Sequence, residues 1–149
     1  MTGMKSAVRY GVAWIGAVAV AAVLGSIVQS QFSMAAIVSL GVEVTPAQWL
    51  GVTVRDLFGF APVWALVVAA ALLLAFPVAG LLARRAPDAR MALYFLAGGV
   101  GVMCALVIMA AVLPVTPVAA ARSPFGMALM ALGGAVGGVA FARWTAARG

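Results

Sequence analysis

The sequence predicts an all-α membrane protein: a bundle of four transmembrane helices with both termini on the inner side. Three observations predict it. Hydrophobic residues make up 66% of the 149 and charged residues 8%, with a mean hydropathy of +1.21. A soluble domain carries about 25% charged residues, so this chain cannot cover a globular surface with groups that water prefers. Four charge-free runs have the length of a membrane crossing. The basic residues gather at the ends of those runs.

The first span is expected over residues 10–28, which hold no charge between Arg9 and Gln29. Lys5 and Arg9 before an apolar stretch also suit a signal peptide. This stretch exceeds the usual h-region of about 7–15 residues and no clean A-x-A site follows it, so it reads as a retained span. The second span is expected over 62–83, opened by Pro62; the third over 91–113, closed by Pro114; the fourth over 125–142, opened by Pro124 and closed by Arg143. About 20 apolar residues cross a hydrocarbon layer of about 30 Å. The runs are apolar all round, as lipid-embedded helices are. Residues 1–149 therefore read as one integral membrane domain.

The connection between spans one and two is long for a small bundle and too apolar for a solvated loop. Thr45-Pro46 reads as an N-cap followed by a first-turn proline. Trp49, Leu50, Thr53, Val54, Leu57 and Phe58 recur at helical spacing, with Gln48, Arg55 and Asp56 outside that stripe. The expectation is a short amphipathic helix within an interfacial segment over about 33–60, anchored by Trp49, Leu57 and Phe58 and ended by Gly59. Residues 33–40 join that layer or prolong the first span.

With the N-terminus inside, the inner segments hold Lys5, Arg9, Arg84, Arg85, Arg90, Arg143 and Arg148, and the outer ones hold Arg55 and Arg122. That asymmetry places both termini in the cytoplasm of a bacterium, the chain being multi-pass in its inner membrane. The net charge of +6 does not mark a nucleic-acid partner, because the basic residues form no patch with interleaved aromatics.

Catalysis is not expected. The chain has no histidine and a single cysteine, Cys104, so the usual imidazole base, metal ligand and internal disulfide are missing. Its acids, Glu43, Asp56 and Asp88, fall in connections under this assignment. Proton relays and ion-coupled carriers place ionisable groups inside their spans. Small four-helix multidrug exporters are similar in size and architecture, but they depend on a glutamate in the first helix that this chain lacks. Met34, Met109, Met127 and Met130 make a weak copper(I) set and read as core fillers. No cofactor is implied.

Three features carry the functional expectation. Gly133, Gly134, Gly137 and Gly138 form two overlapping G-x-x-x-G pairs, a face for close helix packing inside the bundle, for a membrane-protein partner or for a second copy. Ser26, Gln29, Ser30 and Ser33 line one face of the first span, as interhelical hydrogen-bonding groups or as a site for a neutral lipid-like molecule such as a quinone. Asp56 and Arg122 are expected to pair across the outer loops. Pro77 introduces a kink, read as static shape. The leading expectation is an accessory or scaffold subunit of a larger membrane complex. The alternatives are a quinone or lipid binder and a small dimeric solute transporter. Membrane lipids surround the bundle in every case.

Overall fold

The computed structural model describes residues 2–146. Four helices follow one another: α1 (Thr2–Ser39), α2 (Pro46–Arg85), α3 (Arg90–Val112) and α4 (Pro124–Thr145). One-turn 3-10 segments, Pro87–Ala89 and Ala119–Arg122, sit in the last two connections. All four helices are long and apolar enough to cross a membrane.

The helices run up and down in a ring. Each of α2 and α4 packs against both α1 and α3. The short connections make neighbours antiparallel, so the start of α1, the end of α2, the start of α3 and the end of α4 share one end of the bundle. The other end is capped by the α3–α4 connection, where Val118 and Ala120 are buried.

The four long helices contain the charge-free runs, but the expected interfacial helix is not a separate element. It is the first part of α2, which runs for 40 residues without a break through Gly59 and Pro62. The first span likewise continues to Ser39, for 38 residues. At 1.5 Å per residue each is about 57–60 Å long.

Local chemistry explains where these helices begin and stop. Thr45 caps α2 with a full capping box: its hydroxyl accepts from the Gln48 N–H at 3.3 Å, and Gln48 Oε1 accepts from the Thr45 N–H at 2.9 Å. The turn after α1 is made by Gly41, whose φ of 83° suits glycine. Pro62 and Pro77 each remove one i to i−4 bond. The helix persists across Pro62 because the turns on both sides are packed against α1, leaving Ala61 and Trp64 buried.

Packing is set by small residues opposite large ones. Trp64, Val68, Leu72 and Phe76 form the buried row of α2, and Tyr94, Gly98, Val102 and Leu106 that of α3. Ala13, Ala17 and Ala21 give α1 its flat buried face. The closest approach is between α3 and α4. A Cβ on Gly98 would collide with the Gly134 carbonyl, and one on Gly138 with the Tyr94 carbonyl. On the other side of α4, a Cβ on Gly137 would lie 2.7 Å from the Ala17 carbonyl oxygen. Toward the end where α1 begins, Phe76, Tyr94 and Phe141 form a three-ring cluster with centroid separations of 4.6–5.4 Å.

Gly138→Leu should therefore force α3 and α4 apart, whereas Gly11→Leu, with nothing within 4 Å of its Cβ, should be silent. Overpacking costs about 1–3 kcal/mol or more, so the expected result is a clear fall in the melting temperature of the first variant in detergent and none in the second.

Candidate functional site

The half of the α1–α2 pair nearest the α3–α4 cap holds most of the polar side chains that the sequence singled out. Ser26, Gln29 and Ser30 are buried, and Ser33 is half-buried. Gln29 Oε1 accepts from the Ala120 N–H at 3.0 Å, fastening the α3–α4 cap to α1. Its Nε2 donates to Ser33 Oγ at 3.4 Å. The Ser30 hydroxyl lies 2.7 Å from Asp56 Oδ2 and 3.0 Å from the Ser26 carbonyl, and its one proton favours the shorter bond. Ser26 Oγ is buried without a partner. The polar face of α1 is thus a set of joints between α1, α2 and the α3–α4 cap.

Asp56 belongs to this set, contrary to the sequence expectation that every acid lies in a connection. It sits inside α2, half-buried against α1. The expected Asp56–Arg122 pair is not formed. Asp56 takes its hydrogen bond from Ser30, while exposed Arg122 donates to the Thr116 carbonyl of its own loop at 3.4 Å. The continuity of α2 turns Asp56 toward α1, and the one-turn helix before Arg122 folds that side chain back on the cap.

The glycine face is also resolved. Gly134 and Gly138 are covered by α3, and Gly133 and Gly137 by α1. All four glycines are buried, and α4 is the most enclosed of the spans. They act in helix packing within the bundle.

Beyond the cap, α1 and α2 continue together as a hairpin. Trp49 Nε1 donates to Gln31 Oε1 at 2.8 Å, and Gln31 Nε2 donates to Thr53 Oγ1 at 3.4 Å. These bonds hold the hairpin along the bundle axis. They also split the expected apolar stripe. Trp49, Thr53 and Leu57 are half-buried on the α1 side, whereas Leu50, Val54 and Phe58 face outward. Phe58 is 81% exposed and Leu50 66%. Of the three expected anchors, Phe58 alone projects freely.

No family model, curated protein or solved structure matches the chain.

Sequence reasoning missed Gln31 as the partner of Trp49, and it missed the Ser30–Asp56 bond. Both join residues on different helices, and no local pattern marks them. The i, i+4, i+8 spacing of Leu50, Val54 and Phe58 was visible, but merged with the inward residues beside it.

The Gln29–Ala120 bond has a measurable consequence. Gln29→Leu leaves a buried N–H unpaired, which costs about 1–3 kcal/mol, and should lower thermal stability in detergent clearly. Ser33→Ala, which loses a long bond at a half-buried position, should cost much less. Equal effects would show that the cap does not depend on this bond.

Proposed function

We propose that the protein is a non-catalytic accessory or scaffold subunit of a larger membrane complex, and that it docks through the outward face of the α2 extension. It is multi-pass in a bacterial inner membrane, with the arginine-rich end and both termini in the cytoplasm.

The observation that carries this reading is the mismatch in helix length. The 22 residues of α4 extend about 33 Å, close to the hydrocarbon thickness of about 30 Å. The 40 residues of α2 extend about twice as far. With Arg84 and Arg85 at the inner surface, roughly 20 residues bring the helix to about Trp64 at the outer one. Leu50, Val54 and Phe58 then stand in or beyond the headgroup layer. An exposed leucine among acyl chains needs no explanation, but apolar area in water is unfavourable by about 25 cal/mol per Å². A contiguous exposed stripe of this kind marks an interaction surface. The hairpin is tied along the bundle axis by Trp49, Gln31 and Thr53, which favours a protein partner over a bed in the membrane plane.

A photo-crosslinking residue at position 58, used in native membranes, should give an adduct with a different polypeptide. Leu50→Asp together with Val54→Asp should lower recovery of that polypeptide tenfold or more in mild detergent, while the bundle stays folded. Adducts confined to lipid or to a second copy would defeat the reading.

Sidedness follows the basic residues. Arg84, Arg85, Arg90 and Arg143 lie at the ends of helices that meet at one end of the bundle, and a cytoplasmic bias of this kind sets orientation. In a Cys104→Ser background, Asp88→Cys should react with a membrane-impermeant maleimide in inverted vesicles and not in intact spheroplasts. The reverse pattern would invert the topology.

A further inference from the structure

The arginine-rich end contains a cavity of about 670 Å³ that reaches into the bundle. Tyr10 and Trp14 of α1, Phe76 and Pro77 of α2, Tyr94 of α3 and Phe141 of α4 form its walls. Arg84 and Arg90 line it where α2 ends and α3 begins. The spacing from Arg84 to Phe76 along α2 gives a depth of about 12 Å. The space is therefore amphipathic, cationic at the mouth and aromatic below.

Two donors in its lining have no acceptor. Trp14 Nε1 and Arg90 Nε are both buried and unpartnered. The rest of Arg90 is held in place: Nη2 donates to Thr145 Oγ1, Thr145 Oγ1 donates to the Phe141 carbonyl at 2.6 Å, and the guanidinium lies 5.1 Å from the Tyr94 ring centroid. Among the described residues no carboxylate pairs with Arg90. Asp88 is exposed, and the other acids, Glu43 and Asp56, lie toward the opposite end of the bundle. A half-buried guanidinium without a counter-ion is costly, and guanidinium groups bind phosphate oxygens by paired N–H donors.

We propose that this cavity binds a phosphate-headed anionic lipid, with the phosphate between Arg84 and Arg90 and the start of the acyl chain against Trp14 and Phe76. A free inorganic anion would satisfy the guanidinium groups but leave the aromatic walls uncovered. A zwitterionic lipid would bring its own cation next to two arginines. Basic pockets between transmembrane helices on the cytoplasmic side recognise anionic head groups in this way.

The test uses the full-length protein, delipidated in mild detergent, with lipid adducts counted by native mass spectrometry. Phosphatidylglycerol should bind at least tenfold more tightly than phosphatidylcholine. Arg84→Gln should weaken phosphatidylglycerol binding about tenfold, and because Arg84 is exposed the fold should survive. Arg85→Gln, one residue away and outside the lining, should leave binding unchanged. Trp14→Phe keeps the wall, removes the N–H donor and should weaken binding severalfold. Equal binding of the two lipids, or an equal loss in the Arg84 and Arg85 variants, would reduce the effect to general surface attraction and overturn the proposal. Full displacement by millimolar inorganic phosphate, or equally tight binding of oleate, would overturn it as well, by assigning the site to a free anion or to a carboxylate.

Discussion

The bundle depends on the backbone-to-backbone contact between α3 and α4. Lipid gives helices no hydrophobic reason to associate, so close packing and hydrogen bonds must hold them. Gly98, Gly134 and Gly138 have no side chains at the points where each helix meets the other's carbonyls. Closeness there brings many atoms into dispersion contact at once. On its other side α4 meets α1 through Gly133, Gly137, Ala17 and Ala21. One helix with two smooth faces thus joins two neighbours. The larger residues of α2, led by Trp64, Leu72 and Phe76, close the ring and fill its middle.

A bundle joined in this way is tight at its centre, and its ends need separate devices. At the capped end the device is hydrogen bonding between elements distant in sequence. Gln29 holds the α3–α4 cap, Ser30 holds Asp56, and Gln31 holds Trp49. The three residues are consecutive on α1, so a single turn of helix organises the cap, the middle of the hairpin and its tip. The bonds to Asp56 and Trp49 hold the part of α2 before Gly59 to α1, and Trp64, packed against Gly25, holds the part after it, so the helix runs on across a glycine and a proline that would otherwise end it. The long hairpin is a result of tertiary pairing.

That distinction explains what could be read from the residues alone. The four spans are written as charge-free runs, since the cost of an ion in hydrocarbon acts on each residue where it stands. The glycine pairs are legible for the same reason, as is the Thr45 cap, whose partner is three residues away. The outer segment was misread because Gly59 and Pro62 are local stop signals, and the α1 extension that overrides them lies more than twenty residues earlier in the chain. Asp56 was assigned to a loop and given the wrong partner by that same error. Whether a glycine face is internal or free also depends on the neighbours of α4, which G-x-x-x-G spacing does not name. The arginine-end cavity left no trace in the sequence, because its walls come from four helices and its donors from residues that look ordinary one at a time.

The two ends of the bundle solve the problem of buried polar groups in opposite ways. At the capped end Gln29 and Ser30 find their partners within the chain, and the apolar surface left over is the exposed stripe on α2. At the arginine-rich end the sequence supplies cations in excess, and Arg90 is packed against Tyr94 and Thr145 with one donor still unmatched. Acidic residues there would satisfy it, but they would also weaken the charge asymmetry on which the proposed orientation rests. A membrane offers another source of negative charge at that depth, in the head groups of its own lipids. On the proposed orientation, a chain that keeps this end cationic can leave one guanidinium incompletely paired, because lipid head groups of the bilayer complete the proposed site.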